Sequence, residues 1–233
     1  MTSFWIPKQL DLKIAAQLKS FEENTQIESN PFVTISRAYG CDGMDFANRL
    51  IDELNKVNDG WYLFQRKMLT TDEGLELAGE HIQQLDKYGY SEFHSYIREA
   101  LFGMPNQRET IEKLGKIIYL LAKAGKVVFL GGGGALFTRS LSNGVHIRYN
   151  ASLEWRVDHH REQLGDKPDG DQMDLHQKVL ARNNEREGFI KTYLGENICS
   201  LEHYDLVFNN QKINVDQATH LTLELLKIKG YLV

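Results

Sequence analysis

Apolar residues recur along this chain with two periods, and the switches between them mark its elements. Phe32–Ser36 is a short apolar run of the kind a buried strand presents. From Asp42 to about Val57, Phe46, Ala47, Leu50, Ile51 and Leu54 fall at the recurrence of an amphipathic helix. The alternation continues. A short strand is expected within 61–69, then helices over 72–85, 91–104 and 107–125, the last stopped by Gly125. Residues 126–134, KVVFLGGGG, read as a buried parallel strand followed by glycines. Beyond them come a strand at 144–152, a helix at 153–165, a polar loop at 166–174 and a helix at 175–195 with few core positions. A strand at 204–210 and a closing helix at 214–230 complete the series, and residues 8–23 form a helical extension ahead of it. Strands alternating with helices predict an α/β fold with a mainly parallel sheet and helices on both faces.

In such sheets ligands bind at the carboxyl ends of the strands. The first strand, the turn carrying Gly40 and Gly43, and the helix after it therefore make the prime candidate site. Backbone N–H groups in a glycine-bearing turn at a helix start hold anions without any side chain. The full phosphate-loop motif, G-x-x-x-x-G-K-[ST], is not present, and an ordinary turn has the same local pattern. The glycines at 131–134 do not complete a dinucleotide fingerprint, because Leu136 stands where its last glycine belongs. Arginines are more suggestive. Arg37 lies in the turn, Arg156 and Arg161 share one helix, and Arg182 and Arg186 are four apart on the next. Guanidinium forks match phosphate oxygens, although Glu154, Glu162, Glu185 and Glu187 offer the same arginines a solvated, ion-paired face.

Composition narrows the field. With 233 residues, 42% apolar and 25% charged, the chain is an ordinary globular protein with length enough for a sizeable core. Its net charge of −5 argues against a general nucleic-acid or anionic-membrane binder. No apolar run reaches a membrane span, and Cys41 and Cys199 are the only cysteines, so a cytoplasmic location is expected. No His, Cys, Asp and Glu spacing assigns a metal ligand, and the acidic stretch at 166–174 departs from a calcium loop.

Six segments, taken in order from about Phe32 to Leu226, resemble the cytidylate kinase-like family, a branch of the P-loop nucleoside monophosphate kinases. FVTISRAYGCDGMDFANRL is similar to that family's opening segment, and LFQRKML to its Y-D-R/K element, with Arg66 kept. KVVFLGGGGALF resembles its strand ending in Gly-Arg, with Gly131 kept and Gly132 at the arginine. IRYNASLEWRVDHHRE and ARNNEREGF resemble its lid, keeping Arg156 and Arg186, while Asn183 and Phe189 replace an aspartate and a tyrosine. YDLVFNNQKINVDQATHLTLELL resembles its last strand and helix.

The resemblance implies a three-layer P-loop kinase-like fold over 31–233, following a helical extension and linker at 1–30. Residues 61–104 would be a helical region over the acceptor site and 156–190 a lid. It implies ATP and Mg2+, with the γ-phosphoryl passed to a nucleoside monophosphate, a pyrimidine one by preference. Donor phosphates would lie on Ser36, Arg37, Tyr39, Gly40, Cys41, Asp42, Gly43, Met44 and Asp45. The acceptor would lie on Arg66, Gly131, Gly132 and Arg182, and Arg156 and Arg186 would stabilise the transferring charge. Asp42 and Asp45 bring negative charge to the donor loop, and like charges oppose polyphosphate binding. A second reading therefore stands beside the first: a catalytically inactive nucleotide-binding or protein-interaction module on the same fold.

Overall fold

The computed structural model describes residues 30–65, 107–165 and 174–232. The helices expected at 8–23, 72–85 and 91–104, Arg66 and most of the 166–174 loop lie outside the described residues. The described elements, in order, are β1 (Phe32–Arg37), α1 (Gly43–Val57), β2 (Tyr62–Phe64), α2 (Gln107–Ala124), β3 (Val127–Leu130), α3 (Gly134–Phe137), β4 (Gly144–Asn150), α4 (Leu153–Leu164), α5 (Leu175–Leu194), β5 (Leu206–Asn209) and α6 (Val215–Ile228).

The strands form one sheet in the order β2-β3-β1-β4-β5, and every pairing is parallel. Val33 lies opposite Val128 on one side and Val145 on the other, which puts β1 at the centre. The period of two along β1 divides its side chains between two helix layers. Phe32 packs with Phe129 against α2 and α5, through Leu114, Ile118, Ile190 and Leu194. Val33 and Ile35 face α1 and α6, through Phe46, Leu50, Ala218 and Leu226. This is the three-layer kinase-like architecture that the alternation of periods and the resemblance led one to expect.

Helix starts follow their capping chemistry. The Ser152 side chain accepts from the Trp155 N–H at the head of α4, and Asn214 and Gln217 form a reciprocal capping box on α6. The exit after the glycines, read from the sequence only as the end of a strand, turns into α3, four buried residues, and Leu201–His203 make one 3-10 turn. The short strand inside 61–69 covers only Tyr62–Phe64 at the sheet edge.

Candidate functional site

The carboxyl ends of β1, β3 and β4 open onto a cavity of about 450 Å³. That volume suits one small ligand. Ser36 and Arg37 end β1, Gly131 to Ala135 follow β3, and Arg148 projects from β4. Helix α5 closes the far side with Asn183, Glu185, Arg186, Glu187, Phe189 and Ile190.

Three guanidinium groups converge here. Arg148 is only 5% exposed. It donates to Ser36 Oγ at 3.2 Å, to the Ile198 carbonyl at 3.1 Å and to Cys199 Sγ at 3.0 Å. Arg37 lies across Gly131, whose φ of +76° and contact with that guanidinium leave no room for a Cβ. Burial, and secondly the charge of Arg186, lower the Arg37 pKa to about 10, so it stays charged at neutral pH. Arg186 sits 5.0 Å over the Tyr39 ring, and burial lowers its pKa too. Among the described residues, none of the three has a carboxylate within ion-pair distance. Guanidinium groups without a direct ion pair around a cavity suit a phosphate or carboxylate ligand, although Glu185 and Glu187 also line it.

The glycine turn beside the cavity is arranged otherwise. Five of its N–H groups are turned to protein acceptors: Ala38 to the Tyr149 carbonyl, Tyr39 to Asn183 Oδ1, Cys41 to the Ala38 carbonyl, Asp42 to Asn210 Oδ1 and Gly43 to the Cys41 carbonyl. The Asp42 carboxylate accepts from His159 Nε2 at 2.6 Å and Gln163 Nε2 at 2.8 Å on one oxygen, and from Asn210 Nδ2 at 3.1 Å on the other. Arg156 donates to the Tyr39 carbonyl at 2.9 Å. A Cβ on Gly40, which has φ +89°, would lie 2.8 Å from the Arg156 carbonyl oxygen, so α4 presses directly on the turn. Most of the expected open cradle of amides is thus bonded to the protein itself, because Asn183, Asn210 and neighbouring carbonyls supply acceptors. The arrangement does not fit a magnesium ion on Asp42 either: both carboxylate oxygens already carry donors, and no cluster of three potential ligands occurs among the described residues.

The other expected residues divide. Ser36, Arg37, Gly131, Gly132 and Arg186 meet at the cavity. Tyr39, Gly40, Cys41, Asp42, Gly43 and Arg156 belong to the turn and its clamp, and burial raises the Cys41 thiol pKa to about 12. Met44 and Asp45 are exposed on the first turn of α1, where Gln65 Nε2 reaches Met44 Sδ at 3.4 Å. Arg182 is exposed and does not line the cavity itself; it pairs at 3.1 Å with Glu185, which does. Arg148 went unnoticed in the sequence. Its one signal is an arginine set between Ile147 and Tyr149 in a run otherwise suited to a buried strand.

A five-stranded parallel sheet in this order, with a glycine turn after its central strand and arginines gathered at the strands' carboxyl ends, defines a P-loop kinase-like protein. Residues 32–212 match the cytidylate kinase-like family, and the chain belongs to that family. Among solved structures it is similar to an uncharacterized protein from Eubacterium ventriosum ATCC 27560, at 16% identity and a TM-score of 0.56, over 85% of this chain and 98% of that one. It is also similar to a shikimate kinase from Bacteroides thetaiotaomicron, at 10% identity and a TM-score of 0.46, over 84% of this chain and 98% of that one. No curated protein matches the chain in sequence. No helix among the described residues is long and apolar enough to cross a membrane.

Proposed function

We propose that this protein binds a nucleotide, or another small phosphorylated molecule, in the arginine cavity, and that it does so without phosphoryl transfer while the turn is closed. The observation that carries this reading is a contrast between neighbours. Arg37, Arg148 and Arg186 line the cavity without a direct ion pair, although Glu185 and Glu187 share the lining, while the turn that would hold a donor triphosphate has five of its N–H groups bonded to the protein. Transfer of a phosphoryl group rests on positioning and positive charge around the group in flight, so a donor loop bonded to itself withholds half of the site.

Turnover is the second reading, and Arg186 favours it. It lines the cavity and covers Tyr39 of the turn, contacts that would suit a residue acting between a donor on the turn and an acceptor in the cavity. The test is a titration with nucleoside monophosphates and with ATP, with and without magnesium, followed by a labelled-phosphate screen over acceptors. Monophosphates should bind in a salt-sensitive, magnesium-independent way, and no acceptor should gain label. If label does transfer, and Arg186→Ala slows it by about 10²–10³ without matching loss of affinity, the kinase reading stands instead.

A further inference from the structure

The Asp42 carboxylate has no use as a ligand-binding group in the arrangement described, yet it is among the best-satisfied charges in the protein. It accepts three hydrogen bonds, from two residues of α4 and one beyond β5, and its side chain is 15% exposed. His159, its closest partner, is itself held flat against Trp155, with ring centroids 4.4 Å apart and planes 15° from parallel. Asn210 is fixed by a second contact, donating to Tyr149 Oη at 2.8 Å, and Tyr149 Oη donates to the Ile213 carbonyl. The carboxylate is thus received by groups that the sheet and α4 hold in place. Around it, Tyr39 is gripped by both halves of the helical lid: Asn183 and Arg186 from α5, and Arg156 from α4. His160 adds an edge-on ring contact to Tyr39 at 5.3 Å.

We infer that Asp42 is an internal latch: its carboxylate holds α4 down on the 39–42 turn in the manner of a bound anion, and a polyphosphate reaches the turn's amides only when this contact is released. The inference rests on reading the turn as a donor-side anion loop, but it does not depend on the arginine cavity. Three physical features favour it. An approaching phosphate meets a like charge at Asp42. It must also displace Asn183 and Asn210 from the amides it would use. Finally, the donors that satisfy Asp42, a histidine and two amides, are groups that would equally donate to a phosphate oxygen in its place.

Removing the carboxylate should therefore release the turn. Asp42→Gly and Asp42→Asn would be compared with wild type by calorimetric titration of ATP and of inorganic tripolyphosphate, with folding verified by circular dichroism. Hydrogen exchange at the Tyr39 amide, which donates to Asn183, reads the latch itself. Asp42→Ala, which keeps the donors of α4 in place, serves as the second route if the other turn variants do not fold. The expected result is at least tenfold tighter polyphosphate binding than wild type, together with exchange at Tyr39 at least tenfold faster. Folded variants whose polyphosphate affinity is unchanged or weaker would overturn the latch, whether or not exchange quickens. Binding of a nucleoside monophosphate to the wild-type protein is measured in the same series. Its absence would count against the arginine cavity and leave the comparison between latched and unlatched turns intact.

Discussion

Arg148 joins structure and site in one side chain. Its guanidinium holds Ser36, the Ile198 carbonyl and Cys199 in place, and it also contributes positive charge to the cavity. Arg148→Ala should cost stability, at about 1–3 kcal/mol for each buried acceptor left without its donor, and should weaken monophosphate binding at least tenfold. Thermal melts and titrations would separate the two effects, because Arg148→Lys restores the charge without the fork that bridges three acceptors. Gly131 gives a complementary case. Gly131→Ala meets both a left-handed φ and the Arg37 guanidinium, so a loss of about 1–3 kcal/mol and a displaced Arg37 are expected. A melt would read the first and reduced phosphate affinity the second. Arg37 and Gly131 were legible in the sequence because glycines and a turn arginine follow apolar runs. Arg148 was not, because a lone arginine between Ile147 and Tyr149 does not say which groups it will meet. Only the fold shows that it meets a serine of β1 and a cysteine following α5.

At the scale of elements, the pattern was a good guide where a helix has one dominant buried face or a strand is apolar on both. Helix α1 and strand β1 follow it closely, and the segments around 32–36, 126–131, 145–149 and 205–209 do lie side by side. The short α3 was missed because four residues are too few for a helical period to register. The closed turn was missed for another reason: its acceptors, Asn183 and Asn210, are distant in sequence and carry no motif. The joint between β4 and β5 makes a pH prediction. Burial above all lowers the His146 pKa, and the residue pairs with Thr34 Oγ1 at 2.8 Å, with Asp205 and Lys229 as the nearby charges. For Asp205, burial alone would raise the pKa. The Lys229 ammonium at 2.7 Å and the His146 N–H outweigh it and hold the carboxyl below its ordinary value. An unfolded histidine takes up its proton near pH 6.5 while the folded one resists, so stability should begin to fall as the pH drops below about 6.5. The Asp205 contribution is complete above its unfolded value and should be lost as the pH falls further, through the lower folded value. Melting temperature against pH should show both losses, and His146→Gln should remove the first while leaving the second.

For the molecule as a whole, the central strand has the longest wait for its neighbours. Val33 of β1 pairs with Val128 and Val145, so both flanking strands come from the second half of the chain. Local contacts do little to settle such a strand, and parallel pairings across long connections form slowly. On a ribosome adding ~5–20 residues per second, roughly 5–20 seconds separate the making of FVTISR from that of its last partner. Until β3 is made, the strand that ends as the most enclosed in the sheet has two bare edges and an apolar face on each side, and until β4 is made it still has one bare edge. Nascent chains arrested before Gly144 should therefore need a holding chaperone to stay dispersed, and chains released past Asn150 should need it far less. Ribosome-bound fragments of the two lengths, compared by pelleting with and without such a chaperone, would make the difference visible.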